Sequence, residues 1–272
     1  MSFIKTADGT SLFYKECGTG NPVVLVHGWC INCDSWEYLI NELVDNGFRC
    51  IAYDQRGCGR SDQPWTGYDY GTLANDLSML IDTLGLNNVT LIGHSMGCGV
   101  VTRYLAEHGE TKVKKAVFIS TSTPYVAKSE NNPDGIDLMY LDQGLDVVKK
   151  DRPAFVRSLV DGYFGLSLEG NDVSTDMADW AVSITLQASS RAAVEMMNAN
   201  FITDQREELK KISMPVLLLH GDKDISAPIQ ITATATHDLL KNSELKFIEG
   251  QTHGMYISKA KLLSKDIIHF IV

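Results

Sequence analysis

Five short apolar runs, rich in β-branched residues and bounded by turn-forming residues, recur along the chain with helical segments between them. This rhythm constrains the fold more than any other feature. The runs are PVVLVHG at 22–28, RCIAYDQ at 49–55, NVTLIGH at 88–94, KAVFIST at 115–121 and PVLLLHG at 215–221. Nearly every position is apolar, as expected of strands covered on both faces rather than on one. Helical periodicity occupies 35–46, 73–84 and 97–108; Leu73, Leu77, Leu80, Ile81 and Leu84 form one stripe of the second segment. Alternating strands and helices predict an α/β fold with a mainly parallel central sheet flanked by helices. Ahead of them, 2–7 and 11–16 are joined through Asp8-Gly9, which signals an antiparallel hairpin start.

The alternation stops after Thr121 and resumes at Met214. In between, a polar stretch, SENNPDG, leads into helix-like segments carrying Phe155, Phe164, Trp180, Ile184, Met196 and Met197. The expected organisation is a core of residues 1–123 and 213–272 with a helical cap, or lid, at 124–212. That cap would lie over the carboxyl ends of the strands, where open α/β sheets bind ligands.

Composition narrows the partners. With 44% hydrophobic and 21% charged residues, the 272-residue chain is of ordinary globular make-up. A net charge of -10 repels a phosphate backbone, and no basic cluster is longer than Lys149-Lys150 with Arg152, so no nucleic acid partner is expected. The start, MSFIKTADGT, has neither the basic opening nor the apolar run of a signal peptide, and no stretch approaches the ~18 apolar residues of a membrane span. A soluble, cytoplasmic protein without membrane contact is expected; self-association stays open. All six cysteines precede residue 100, and Cys30-x-x-Cys33 is the one pair with metal or redox spacing. Without a second pair or a nearby histidine set, neither a metal site nor a cofactor is expected.

The strand NVTLIGH runs directly into Gly93-His94-Ser95-Met96-Gly97 and then into a helix, the strand-turn-helix context of a G-x-S-x-G nucleophile elbow. The turn strains the serine backbone and brings its neighbours close, so a side chain at Gly93 or Gly97 would clash. It also aims the Met96 amide at the space before the Ser95 hydroxyl, where an oxyanion would form. Serine needs a base, and the base needs a carboxylate, in the chain order Ser, acid, His. Of the histidines well beyond Ser95, His220 lies inside a strand, His237 in a helical run and His269 in the amphipathic end of the chain. His253, in EGQTHGM between a strand and the last helix, suits a mobile imidazole and is the candidate base. For the acid, strand 215–221 empties into Asp222-Lys223-Asp224. Asp222, nearer the strand, suits a turn cap, whereas Asp224 reaches further toward the His253 loop.

These residues together resemble the α/β-hydrolase family, and within it the bacterial cofactor-free haloperoxidase and aryl esterase group. The resemblance spans essentially the whole chain: His27-Gly28-Trp29, the loop DQRGCGRSD at 54–62 with QPWTG after it, Gly93 to Gly97, His220-Gly221-Asp222-Lys223-Asp224, and His253-Gly254. It implies Ser95, Asp224 and His253 as nucleophile, acid and base, and the amides of Trp29 and Met96 as the oxyanion hole. Cys30 and Cys98 depart from the group's pattern; Cys98 is expected under the elbow helix. The charged 54–62 loop is expected to be structural, with Arg56, Arg60 and Asp62 paired locally. The activity implied is hydrolysis of small carboxylic, especially aryl, esters through an acyl-enzyme, with hydrogen peroxide able to replace water and yield a peracid. A lactone, including an acyl-homoserine lactone, would use the same machinery, and a slow-turnover signalling receptor of this fold is the reading from another class.

Overall fold

The computed structural model describes residues 2–272. Eight strands form one sheet: β1 (Ser2–Lys5), β2 (Ser11–Cys17), β3 (Asn21–Val26), β4 (Phe48–Tyr53), β5 (Val89–His94), β6 (Val113–Ile119), β7 (Val216–Gly221) and β8 (Ser243–Ile248). Their order across the sheet is β1-β2-β4-β3-β5-β6-β7-β8. The β1 and β2 pairings are antiparallel and those from β4 to β8 are parallel. The hairpin registers Lys5 with Ser11, so its connection spans five residues, 6–10, rather than a two-residue Asp-Gly turn. Asp8 holds it by accepting hydrogen bonds from the Thr6 hydroxyl and the Thr10 amide.

The helices are α1 (Glu37–Asp45), α2 (Tyr70–Thr83), α3 (Met96–His108), α4 (Leu138–Phe164), α5 (Thr175–Thr185), α6 (Ser190–Ile202), α7 (Arg206–Leu209), α8 (Ala235–Leu239), α9 (Met255–Ser258) and α10 (Ala260–Ile271). The α2 helix begins before its apolar stripe because Asp69 caps it, accepting from the Thr72 amide at 3.0 Å. The α4 helix is broken at Asp151, whose extended backbone precedes Pro153; Asp151 then caps the second half through the Ala154 amide.

Pleat alternation explains why the strands are apolar throughout. Val24 and Val26 face one core with α2, α3 and α6, while Val23 and Leu25 face a second core with α1, α5 and α10. Covering both faces leaves the carboxyl edge of the parallel strands as the place where polar side chains can gather. Between β6 and β7 stand α4, α5, α6 and α7, as the break in the strand rhythm suggests. Of these, α7 packs back on α3, with Leu209 fully buried. No helix of the described residues is long and apolar enough to cross a membrane.

The 54–62 loop is structural, but its pairing is wider than expected. Arg60 does bind locally, to Asp54 at 2.9 Å. Arg56, fully buried, instead forks onto Asp76 of α2 at 2.6 and 2.7 Å and also reaches Asp8. Asp62 accepts from the Ser11 amide at 2.8 Å rather than pairing with an arginine. The loop therefore ties the first hairpin to α2, because a buried guanidinium with five donors needs acceptors from several elements.

Candidate active site

Ser95 stands between β5 and α3 with φ 53° and ψ -122°, a conformation unfavourable for any residue with a side chain. Its neighbours show why the elbow needs glycine. A Cβ on Gly97 would sit 2.2 Å from the Val26 carbonyl oxygen, and one on Gly93 would sit 2.8 Å from the Cys98 backbone. The Ser95 amide donates to the Ile119 carbonyl at 3.0 Å, anchoring the turn to β6. Met96 is the first residue of α3, so no preceding turn of the helix accepts its N–H. Cys98 is buried beneath the elbow, in contact with the Ile119 carbonyl.

Trp29 follows β3 in a loop fixed from behind. The Gln55 amide donates to His27 Nε2 at 2.9 Å, and the Gln55 side chain donates to the His27 carbonyl at 2.7 Å. The Trp29 indole N–H donates to the Ala193 carbonyl of α6, joining this loop to the inserted helices. Cys30, next along, has a positive φ of 54°, which turns the chain sharply at this loop.

Asp224 follows β7 and is buried. Its Oδ1 accepts from the Ser226 and Ala227 amides at 2.9 Å, and its Oδ2 lies 2.8 Å from His253 Nδ1. Burial opposes ionisation of Asp224, but the neighbouring His253, the hydrogen bond to it and His220 outweigh that, holding the carboxyl below its ordinary value. Asp222 lies outside this network: its Oδ1 accepts from the Gly250 amide at 2.7 Å and caps the loop after β8.

The His253 loop is clamped from two sides. The Gly254 amide and Thr252 hydroxyl both donate to the Tyr163 carbonyl at the end of α4, at 2.7 and 2.9 Å. His94 Nε2 donates to the His253 carbonyl at 3.1 Å, and the two imidazole centroids are 4.8 Å apart. The His94 ring lies on Tyr256 at 4.0 Å, so the second residue of the elbow motif braces the loop that carries His253. Burial, then the charge of a protonated His253, push His94 well below the usual imidazole range.

Ser95 and His253 line one cavity of about 330 Å³ with Gly28 and Trp29. The α4 and α6 helices complete its wall through Tyr140, Phe155, Leu159, Met197 and Asn200, so the insertion covers the carboxyl edge of the sheet. No direct hydrogen bond joins the Ser95 hydroxyl to the His253 ring among the described residues; such contacts commonly tighten only when substrate is bound.

His237 and His269 stand apart from this cavity. His237 Nδ1 meets Ser243 Oγ at 2.7 Å, and His269 borders a surface hollow beside Lys261. His220 is buried in β7, as packing would require, and also belongs to the polar network. Its Nε2 donates to the Ala227 carbonyl at 2.8 Å and lies 3.3 Å from Asp224 Oδ2. The available signal was a histidine at a strand end four residues before the candidate acid, where a buried imidazole needs an acceptor.

The family model described as the alpha/beta hydrolase fold matches residues 21–260. A non-heme chloroperoxidase of Kitasatospora aureofaciens is 37% identical over 273 residues, covering all of this chain and 99% of its own. A bifunctional esterase/perhydrolase of Acinetobacter calcoaceticus is 34% identical over 275 residues, with the same coverage. Among solved structures, a bromoperoxidase from Bacillus anthracis superposes with a TM-score of 0.94 at 36% identity, covering 99% of both chains. With a family match over most of its length, and full-length relatives above 30% identity, the chain belongs to the alpha/beta hydrolase family.

Proposed function

We propose that this protein is a serine esterase acting on small carboxylic esters, with a perhydrolase side activity. The observation that carries the reading is that a strained, elbow-mounted Ser95 and an Asp224-bound His253 open onto one cavity. In the reaction, Ser95 Oγ attacks the ester carbonyl as His253 Nε2 takes its proton. Asp224 holds Nδ1–H and stabilises the imidazolium. The Trp29 and Met96 amides receive the oxyanion. Collapse expels the alcohol with the proton from His253, and water repeats the sequence to release the acid. Residues 124–212 act as the cap that shapes acyl and alcohol preference.

Hydrogen peroxide in place of water gives the peracid and free Ser95. The peracid then oxidises bromide in solution, with one proton taken up and hypobromous acid and the carboxylic acid formed. The relatives named perhydrolase, chloroperoxidase and bromoperoxidase support this extension. The test is Ser95→Ala. Hydrolysis of 4-nitrophenyl acetate should fall by several orders of magnitude, and a fluorophosphonate should label Ser95 in the wild type. Bromination of a phenolic dye should need peroxide together with a carboxylic acid or ester, and should vanish in the same variant. Near wild-type hydrolysis by Ser95→Ala would defeat the reading.

A further inference from the structure

Away from Ser95 and His253, the cavity wall is mainly apolar. Of its remaining polar side chains, His94 and Trp29 spend their ring N–H groups on the His253 and Ala193 carbonyls, Tyr140 and Ser226 are exposed at the rim, and the Tyr163 hydroxyl is turned to that of Tyr256 at 3.4 Å. Asn200, on α6, is different. Its Oδ1 accepts from Ser122 Oγ at 2.6 Å and from the Tyr70 hydroxyl at 2.9 Å. Ser122 follows β6. The Tyr70 ring lies against α3 so closely that a Cβ on Gly99 would come within 2.6 Å of it. Two elements of the core thus fix the amide.

Two hydroxyl donors occupy both lone pairs of Oδ1, which sets the orientation of the amide plane and leaves Nδ2 pointing away from them. Nδ2 makes no hydrogen bond among the described residues, and its side chain borders the Ser95 cavity. A fixed donor at an apolar-walled site favours a ligand that brings an acceptor and disfavours one that leaves the donor dry.

We infer that Asn200 is a specificity-determining residue. Its Nδ2 donates to an acceptor oxygen carried by the substrate a few bonds from the reacting carbonyl. The site therefore favours alkoxy-, hydroxy- or oxo-substituted esters over plain alkyl esters of the same size. This rests on the serine esterase reading.

The experiment uses two substrate pairs that differ by one CH2 replaced with oxygen: 4-nitrophenyl methoxyacetate against 4-nitrophenyl butanoate for the acyl side, and 2-methoxyethyl acetate against butyl acetate for the alcohol side. The ratio of kcat/KM within each pair is measured for wild type, Asn200→Leu, Asn200→Asp and Ser122→Ala. Taking ratios on one enzyme cancels losses of folded protein and of general activity. Asn200→Leu should lower the oxygenated-to-alkyl ratio about tenfold in one pair, and that pair identifies the side of the substrate that Asn200 reads. Asn200→Asp, which keeps both Oδ1 bonds but supplies no donor, should lower it at least as far, and Ser122→Ala should lower it less. Unchanged ratios in both pairs, with all rates reduced together, would mean that Asn200 only fastens α6 to the core and would overturn the proposal. Absence of Ser95-dependent hydrolysis of either alkyl ester would instead remove the esterase reading beneath it.

Discussion

Asp222 and Asp224 lie two positions apart and receive different partners, so the chemistry assigned to each follows from what it touches. Asp224 accepts two backbone amides on one oxygen and His253 on the other. Replacing it with asparagine puts an NH2 where an acceptor must stand, and His253 is then driven to the tautomer with its proton on the wrong nitrogen. Asp224→Asn should lower kcat by about three to four orders of magnitude with far-UV circular dichroism unchanged. Asp222, at the surface, accepts from the Gly250 amide and lies 4.0 Å from the Lys223 ammonium. Asp222→Asn keeps an acceptor oxygen and should leave kcat within about twofold, with a stability change of no more than ~1 kcal/mol. Steady-state kinetics on both variants separates them, and the reverse ranking would move the acid to Asp222. That Asp224 rather than Asp222 would meet His253 was legible in the sequence because it turns on reach from a strand end. The part played by Asn200 was not: its partners Tyr70 and Ser122 lie 130 and 78 residues away in the chain. No local pattern marks such a contact.

At the scale of the element, the β5–elbow–α3 unit is tightly specified by its packing. A methyl group on Gly97 meets the Val26 carbonyl at 2.2 Å, and that oxygen belongs to a neighbouring strand with nowhere to move. Gly97→Ala should cost about 3 kcal/mol or more by overpacking, with esterase activity lost as the elbow shifts. Gly85→Ala is the control. Gly85 has a positive φ of 62° but nothing within 4 Å of an added Cβ, so only backbone strain of roughly 1–2 kcal/mol applies. Urea titrations of both variants check the ranking; a Gly97→Ala protein as stable as Gly85→Ala would contradict the packing argument. Such elements could be read ahead of the structure because their pattern is set by burial on two faces, as with Val23 to Val26 and Leu217 to Leu219. The inserted helices were legible as helices and not in their bounds. Their apolar residues face a cavity and the core at once, which blurs the periodicity; Pro153 marks the break in α4, but not that the chain resumes as a helix straight after it.

Across the whole molecule, the buried histidines make stability depend on pH in a defined window. His27, His94 and His220 all lie below the ordinary imidazole value, burial being the largest cause for each. They sit in three different parts of the sheet: after β3, at the end of β5 and within β7. In the folded protein these rings stay neutral, His94 and His220 spending their one N–H on a backbone carbonyl and His27 accepting the Gln55 amide on Nε2. The unfolded chain has no such restriction and protonates them near pH 6.5. Below that pH the unfolded state binds more protons than the folded one, so stability is complete above about pH 6.5 and declines as the pH falls toward the depressed folded values. Each ring contributes a slope of up to about 1.4 kcal/mol per pH unit in this window, so three together contribute up to ~4. Asp224, held below its ordinary value, acts in the same direction but only near pH 4 and lower, where its unfolded form begins to protonate. The two effects therefore occupy separate ranges. Urea unfolding free energies measured from pH 8 to pH 5 should be level at first and then fall steeply below 6.5. His94→Gln, whose amide can still donate to the His253 carbonyl, should reduce that slope by about a third. A free energy that stays constant down to pH 5 would show that these rings are protonated, and therefore solvated, in the folded protein.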